Sequence, residues 1–110
     1  MVTLKIKALS INSAYKGRRF RTPAHDTFKT AIKYLLPDHF KLPLPPYCIF
    51  FEFGVSSALS DGDNLVKCTQ DSIADKYGFN DRLIKRWVID VEKVEKGKEY
   101  IKFKILHLEK

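Results

Sequence analysis

Tyr47-Cys48-Ile49-Phe50-Phe51-Glu52-Phe53 carries a single charge, and its other six residues are aromatic or otherwise apolar. A short run of this kind, rich in aromatic and β-branched side chains, matches a strand covered on both faces. It predicts the central strand of a sheet. Upstream, Pro37, Pro43, Pro45 and Pro46 prevent either regular ladder, so residues 37–46 read as an extended connector. Before that connector, Phe28, Ala31, Ile32, Leu35 and Leu36 recur at spacings of three and four, which predicts an amphipathic helix over 24–36. Thr22-Pro23 is a suitable entry to it, since the hydroxyl can accept from an early N–H and proline has none to leave unpaired. Downstream, residues 54–62 are small and turn-forming. A second helix is predicted over 63–77, with Leu65, Thr69, Ile73 and Tyr77 on one track and Gly78 as its stop.

The outer segments complete the pattern. Val2, Leu4, Ile6 and Ala8 alternate with polar residues and predict a first strand over 2–8. Residues 83–94 and 99–108 also alternate, and Glu95-Lys96-Gly97-Lys98 between them reads as the turn of a β-hairpin. Trp87 then falls in the core or in a subunit contact. The order β-α-β-α-β-β implies an α+β fold, a mixed four-stranded sheet with two helices. One domain covers 1–110, because 110 residues at 45% apolar content cannot supply two independent cores.

Composition narrows the function. The longest mostly apolar stretch, residues 43–55, is interrupted by three prolines and Glu52, far short of the roughly 20 residues of a membrane span. No membrane partner is expected. The first residues alternate rather than forming a continuous apolar segment, so a cytoplasmic location is expected. Cys48 and Cys68 fit two reduced thiols, not a disulfide framework or a paired zinc motif. Residues 1–55 hold nine basic and three acidic side chains, net +6, whereas residues 56–110 hold eleven and ten, net +1. The positive field is therefore an amino-terminal property, suited to a polyanion such as nucleic acid. It concentrates in Lys16-Gly17-Arg18-Arg19-Phe20-Arg21, with Lys29 and Lys33 following on the first helix.

Chemistry gathers around Asp61-Gly62-Asp63-Asn64-Leu65-Val66-Lys67, where a loop meets the second helix. Two carboxylates beside a helix N-terminus suit a hard cation such as Mg²⁺ or Mn²⁺. Asp63, Lys67 and Asp71 share one helical face at intervals of four. The plainer account, in which Asp63 caps the helix and pairs with Lys67, stands beside it. Asp81, ahead of the next strand, is a third acid or an ordinary turn residue. His25, His39 and His107 share no ligand spacing and read as surface or capping residues. No GxSxG elbow or Gly-rich phosphate loop is present.

Asp61-x-Asp63-Asn64-x-x-Lys67-x-x-x-Asp71 followed by Asp81 before a strand resembles the signature of the RusA family of Holliday junction resolvases. Ser10-Ile11-Asn12 ahead of Tyr15, and the basic loop leading to a helix, resemble that family's amino-terminal half, so the likeness spans about residues 4–105. The resemblance implies a Mg²⁺-dependent endonuclease, with Mn²⁺ as a substitute, that acts as a homodimer and cuts two strands of a four-way DNA junction. On that basis Asp61, Asp63 and Asp81 match the metal-binding catalytic acids and Lys67 the catalytic lysine. Lys16, Arg18, Arg19, Arg21, Lys29 and Lys33 are the expected phosphate contacts. The assignment requires the fold to bring Asp61, Asp63 and Asp81 within reach of one ion. The rival is a noncatalytic nucleic-acid-binding module that uses the basic loop 16–21.

Overall fold

A computed structural model describes residues 1–10, 14–16, 20–57 and 62–109. Its elements are β1 (Val2–Leu4), β2 (Tyr15–Lys16), β3 (Phe20–Arg21), α1 (Pro23–Leu35), β4 (Tyr47–Val55), α2 (Gly62–Tyr77), a 3₁₀ turn (Asp81–Leu83), β5 (Ile84–Lys93) and β6 (Tyr100–His107). The main sheet has the order β1-β6-β4-β5, and β2 with β3 forms a separate two-stranded ribbon. The expected α+β architecture, a mixed four-stranded sheet with two helices, is present.

Three expectations about the strands need correction. The carboxy-terminal strands do not form a hairpin. β4 lies between them, parallel to β5 and antiparallel to β6. Local alternation and a glycine turn can specify two strands, but the partner of each is a non-local choice. The most apolar strand takes the centre because two neighbours hide it better than one. Second, β4 is central in order yet carries helices on one face only. Tyr47, Ile49, Phe51, Phe53 and Val55 are buried, while Phe50 and Glu52 on the other face are partly open. The first strand is also shorter than expected, ending at Leu4, and Ile6 packs against the core from outside the ladder.

Both helices form where periodicity placed them. Thr22 caps α1, its hydroxyl accepting from the His25 N–H at 3.4 Å, with Pro23 at the first helical position. α2 stops at Gly78, whose φ of +69° and bond from its N–H to the Ala74 carbonyl at 2.8 Å make a glycine C-cap. Leu65, Thr69 and Ile73 are buried, and the Thr69 hydroxyl donates to the Leu65 carbonyl at 3.2 Å. α1 packs on α2, and α2 lies over β4 and β5. The connector after α1 inserts Phe40 between Tyr77, at 4.6 Å, and Phe103, at 5.8 Å. The core this closes includes Leu4, Ile32, Ile49, Phe51, Phe53 and Phe103, each no more than 2% exposed. Cys48 and Cys68 are both buried free thiols. Among the described residues, no helix is long and apolar enough to cross a membrane.

On the side of the sheet away from the helices, Glu52 accepts from the Tyr100 hydroxyl at 2.6 Å and lies 3.7 Å from Lys102. The Tyr100 ring covers Gly54, its partner in the β4–β6 ladder, so closely that any side chain there would collide with it.

Candidate functional site

α2 positions most of the chemistry. Its bounds put Asp63 inside the first turn, and the Asp63 side chain and all of Asp61 lie outside the described residues. One turn on, Lys67 is half exposed, with its Nζ 3.4 Å from Asp71 Oδ2. A further turn on, Asp75 Oδ2 lies 3.5 Å from Lys29 Nζ of α1. The Lys67–Asp71 part of the i, i+4 face read from the sequence is thus present, and the face continues one turn further, through Asp75. That acid was not singled out, although its spacing from Asp71 would have found it.

The basic residues meet this face in part. Arg18 and Arg19 lie outside the described residues, as does the Lys16 side chain. Arg21 and Lys29 line a cleft of about 550 Å³ together with His25, Asp71, Asp75 and Asp81. Arg21, Lys29 and Lys33 line an adjoining groove of about 410 Å³. α1 and the end of the ribbon therefore set cations directly against the acids of α2. His25, expected as a surface or capping residue, is buried and lines the cleft, with Nδ1 3.3 Å from Asp26 Oδ1. The Thr22 cap fixes the backbone that turns it inward.

Asp81 departs most from expectation. It is exposed and opens the 3₁₀ turn, which Asn80 caps by accepting from the Arg82 N–H at 2.9 Å. The strand it precedes does run beside the start of α2, since a methyl group added at Gly62 would touch Ile89 and Val91. Asp81, however, stands at that strand's other end. β5 is parallel to β4, so Ile84 is level with Tyr47, and the intervening helix must begin at one end of the sheet and finish at the other. The helix from Asp63 to Tyr77 separates Asp63 from the approach to Asp81 by about 21 Å, at 1.5 Å per residue. Asp63 and Asp81 of one subunit therefore do not fit around one Mg²⁺. Among the described residues, no three His, Cys, Asp or Glu side chains are grouped to hold a metal.

Along this face of α2 and in the cleft beside it, the charges largely balance one another. Lys67 with Asp71 and Lys29 with Asp75 are partly exposed ion pairs, each worth at most about 1 kcal/mol. Burial raises the Cys68 thiol pKa, and the Asp71 carboxylate adds to the rise while Lys67 opposes it, so the thiol beside this face stays protonated. An incoming phosphodiester would be drawn by Arg21 and Lys29 and repelled by Asp71, Asp75 and Asp81. Comparison with known proteins gave no matching family model and no match among curated proteins.

Proposed function

We propose that this protein is a divalent-metal-dependent endonuclease acting on branched DNA, with a four-way junction as substrate and a homodimer as the working unit. One observation carries the reading. Arg21 and Lys29, expected to hold phosphate, line one cleft with Asp81, one of the three acids expected to serve hydrolysis, and with Asp71 of the same motif. The motif Asp63-x-x-x-Lys67-x-x-x-Asp71 falls on a helix with Asp63 in its first turn, and a helix start is a setting in which backbone N–H groups act on an anion.

In this reading, Arg21, Lys29 and Lys33 fix the duplex arms through phosphate contacts, and Lys67 supplies positive charge where the scissile phosphate gathers negative charge. A labelled synthetic junction in Mg²⁺ or Mn²⁺ tests it. The wild type should cut, and Asp63→Asn should lose at least about a hundredfold in rate, the scale on which removing one electrostatic catalytic group acts. Its circular dichroism should be unchanged. Arg21→Ala should weaken binding and reduce the salt slope by about one. No cleavage in either metal ends the proposal.

The second reading, a noncatalytic nucleic-acid-binding module, draws on the ion pairs that already engage Lys67 and Lys29 within the fold. It expects junction affinity unaffected by chelator and by Asp61→Asn or Asp81→Asn.

A further inference from the structure

β5 is the outermost strand on its side of the sheet, with β4 as its neighbour on the other. Eight of its ten residues, Arg86 to Lys93, keep one register with β4 after an irregularity at the start of the strand, so the edge is regular over that stretch. Regular edges of this length are usually shortened, bulged or covered in monomers. Trp87 is 45% exposed and Val91 42% exposed on it. Two of its charges are complementary about Val88: Arg86 lies two residues before it and Asp90 two residues after, with Lys85, Glu92 and Lys93 outside them.

An antiparallel strand inverts that order, so the occupant matching this edge is a second copy of β5. Centred on Val88, the pairing sets Arg86 opposite Asp90 of the partner subunit, twice by symmetry, and Trp87 opposite Ile89 of the partner subunit. It also inverts the far end of the partner. Ile84 of the partner subunit then stands opposite Glu92, at the end of the sheet where Gly62 begins α2 over Ile89 and Val91. Asp81 of the partner subunit, three residues earlier, arrives at that same end.

We infer that two copies join antiparallel through β5, and that each supplies Asp81 to the end of the other's sheet where α2 begins, with Asp63 in its first turn and Lys67 one turn on. The interface stands on the edge and its charge order. The role given to Asp81 rests on the nuclease reading. It resolves the misfit within one subunit, where the length of α2 keeps the acids apart.

Sedimentation at micromolar concentration should show a wild-type dimer. Arg86→Asp and Asp90→Arg should each raise the dimer dissociation constant at least tenfold, and the combined exchange should restore the dimer. A monomeric wild type, dimeric single variants, or a folded combined variant that stays monomeric each overturns the interface. For the shared site, Asp63→Asn and Asp81→Asn are made separately and mixed with subunit exchange. Each alone should be inactive, whereas the mixture should regain at least tenfold over either, because half of the sites in each mixed dimer keep both acids. No recovery overturns the placement of Asp81 across the interface. A dimer that responds to the charge exchange but never cuts overturns the nuclease reading, and with it the role of Asp81, and leaves the interface standing.

Discussion

β4 and β5 run side by side in parallel register and are nearly equal in length, yet seven of the nine β4 residues are buried and only Ile84 of the ten in β5. Both alternate or carry β-branched and aromatic side chains, so intrinsic preference does not separate them. Position does. β4 has a strand on each side and helices above it, while α2 covers β5 only in part and leaves its outer edge open. The same type of side chain therefore contributes a core in one strand and an attachment surface in the next.

Truncation should expose this contrast most strongly. Phe53→Ala, at a residue with 0% exposure, should cost about 3–5 kcal/mol and lower the urea midpoint, by loss of transfer energy and the cavity left behind. Gly54→Ala should cost about 1–3 kcal/mol, since the new methyl group must displace the Tyr100 ring and with it the bond to Glu52. Adding Tyr100→Ala should remove most of that penalty, and additive losses would break the explanation. Val91→Ala on β5 should stay within about 1 kcal/mol in the monomeric Arg86→Asp background, the range expected of a partly exposed site. A loss as large as at Phe53 would erase the distinction between the strands.

The smallest effect should be on titration. The hydrogen bond to Glu52, with help from partial burial and the charges of Glu52 and Glu92, pushes the Tyr100 phenol up to about 12. The neutral phenol is the form the fold favours. Its contribution is thus complete below the ordinary tyrosine pKa near 10 and is lost as pH rises through about 12. Tyrosinate absorbance, compared with Tyr100→Phe, should show this step, and Glu52→Gln should move it down.

Helices were legible to within one or two residues because periodicity and end signals are local: Thr22-Pro23 and Gly78 sit where the backbone needs a cap and a positive φ. Strand partners were not. Gly97 does turn the chain with φ of +94°, and Lys98 bonds back to Glu95 at 3.0 Å, but this turn joins strands that β4 separates. The site inherited that error. Lys67 and Asp71 share a face because a helix guarantees it, whereas the place of Asp81 depends on which way β5 runs. A parallel β4–β5 pair would have revealed from sequence alone that the start of the helix and the start of the next strand lie at opposite ends. The complementary Arg86 and Asp90 of β5 were equally visible, but a strand read as half of a hairpin offers no free edge on which to place them.

Thr22 does more than begin α1. Its N–H bonds to the Ala14 carbonyl at 2.8 Å and its hydroxyl to the same oxygen at 3.2 Å, so the base of the basic arm is clasped by the body of the protein. A loop whose ends are already held together costs little to lengthen, about 0.6 kcal/mol for each doubling. The arm between Ala14 and Thr22 can thus be exchanged for another of different length and charge while the helix it adjoins keeps its start.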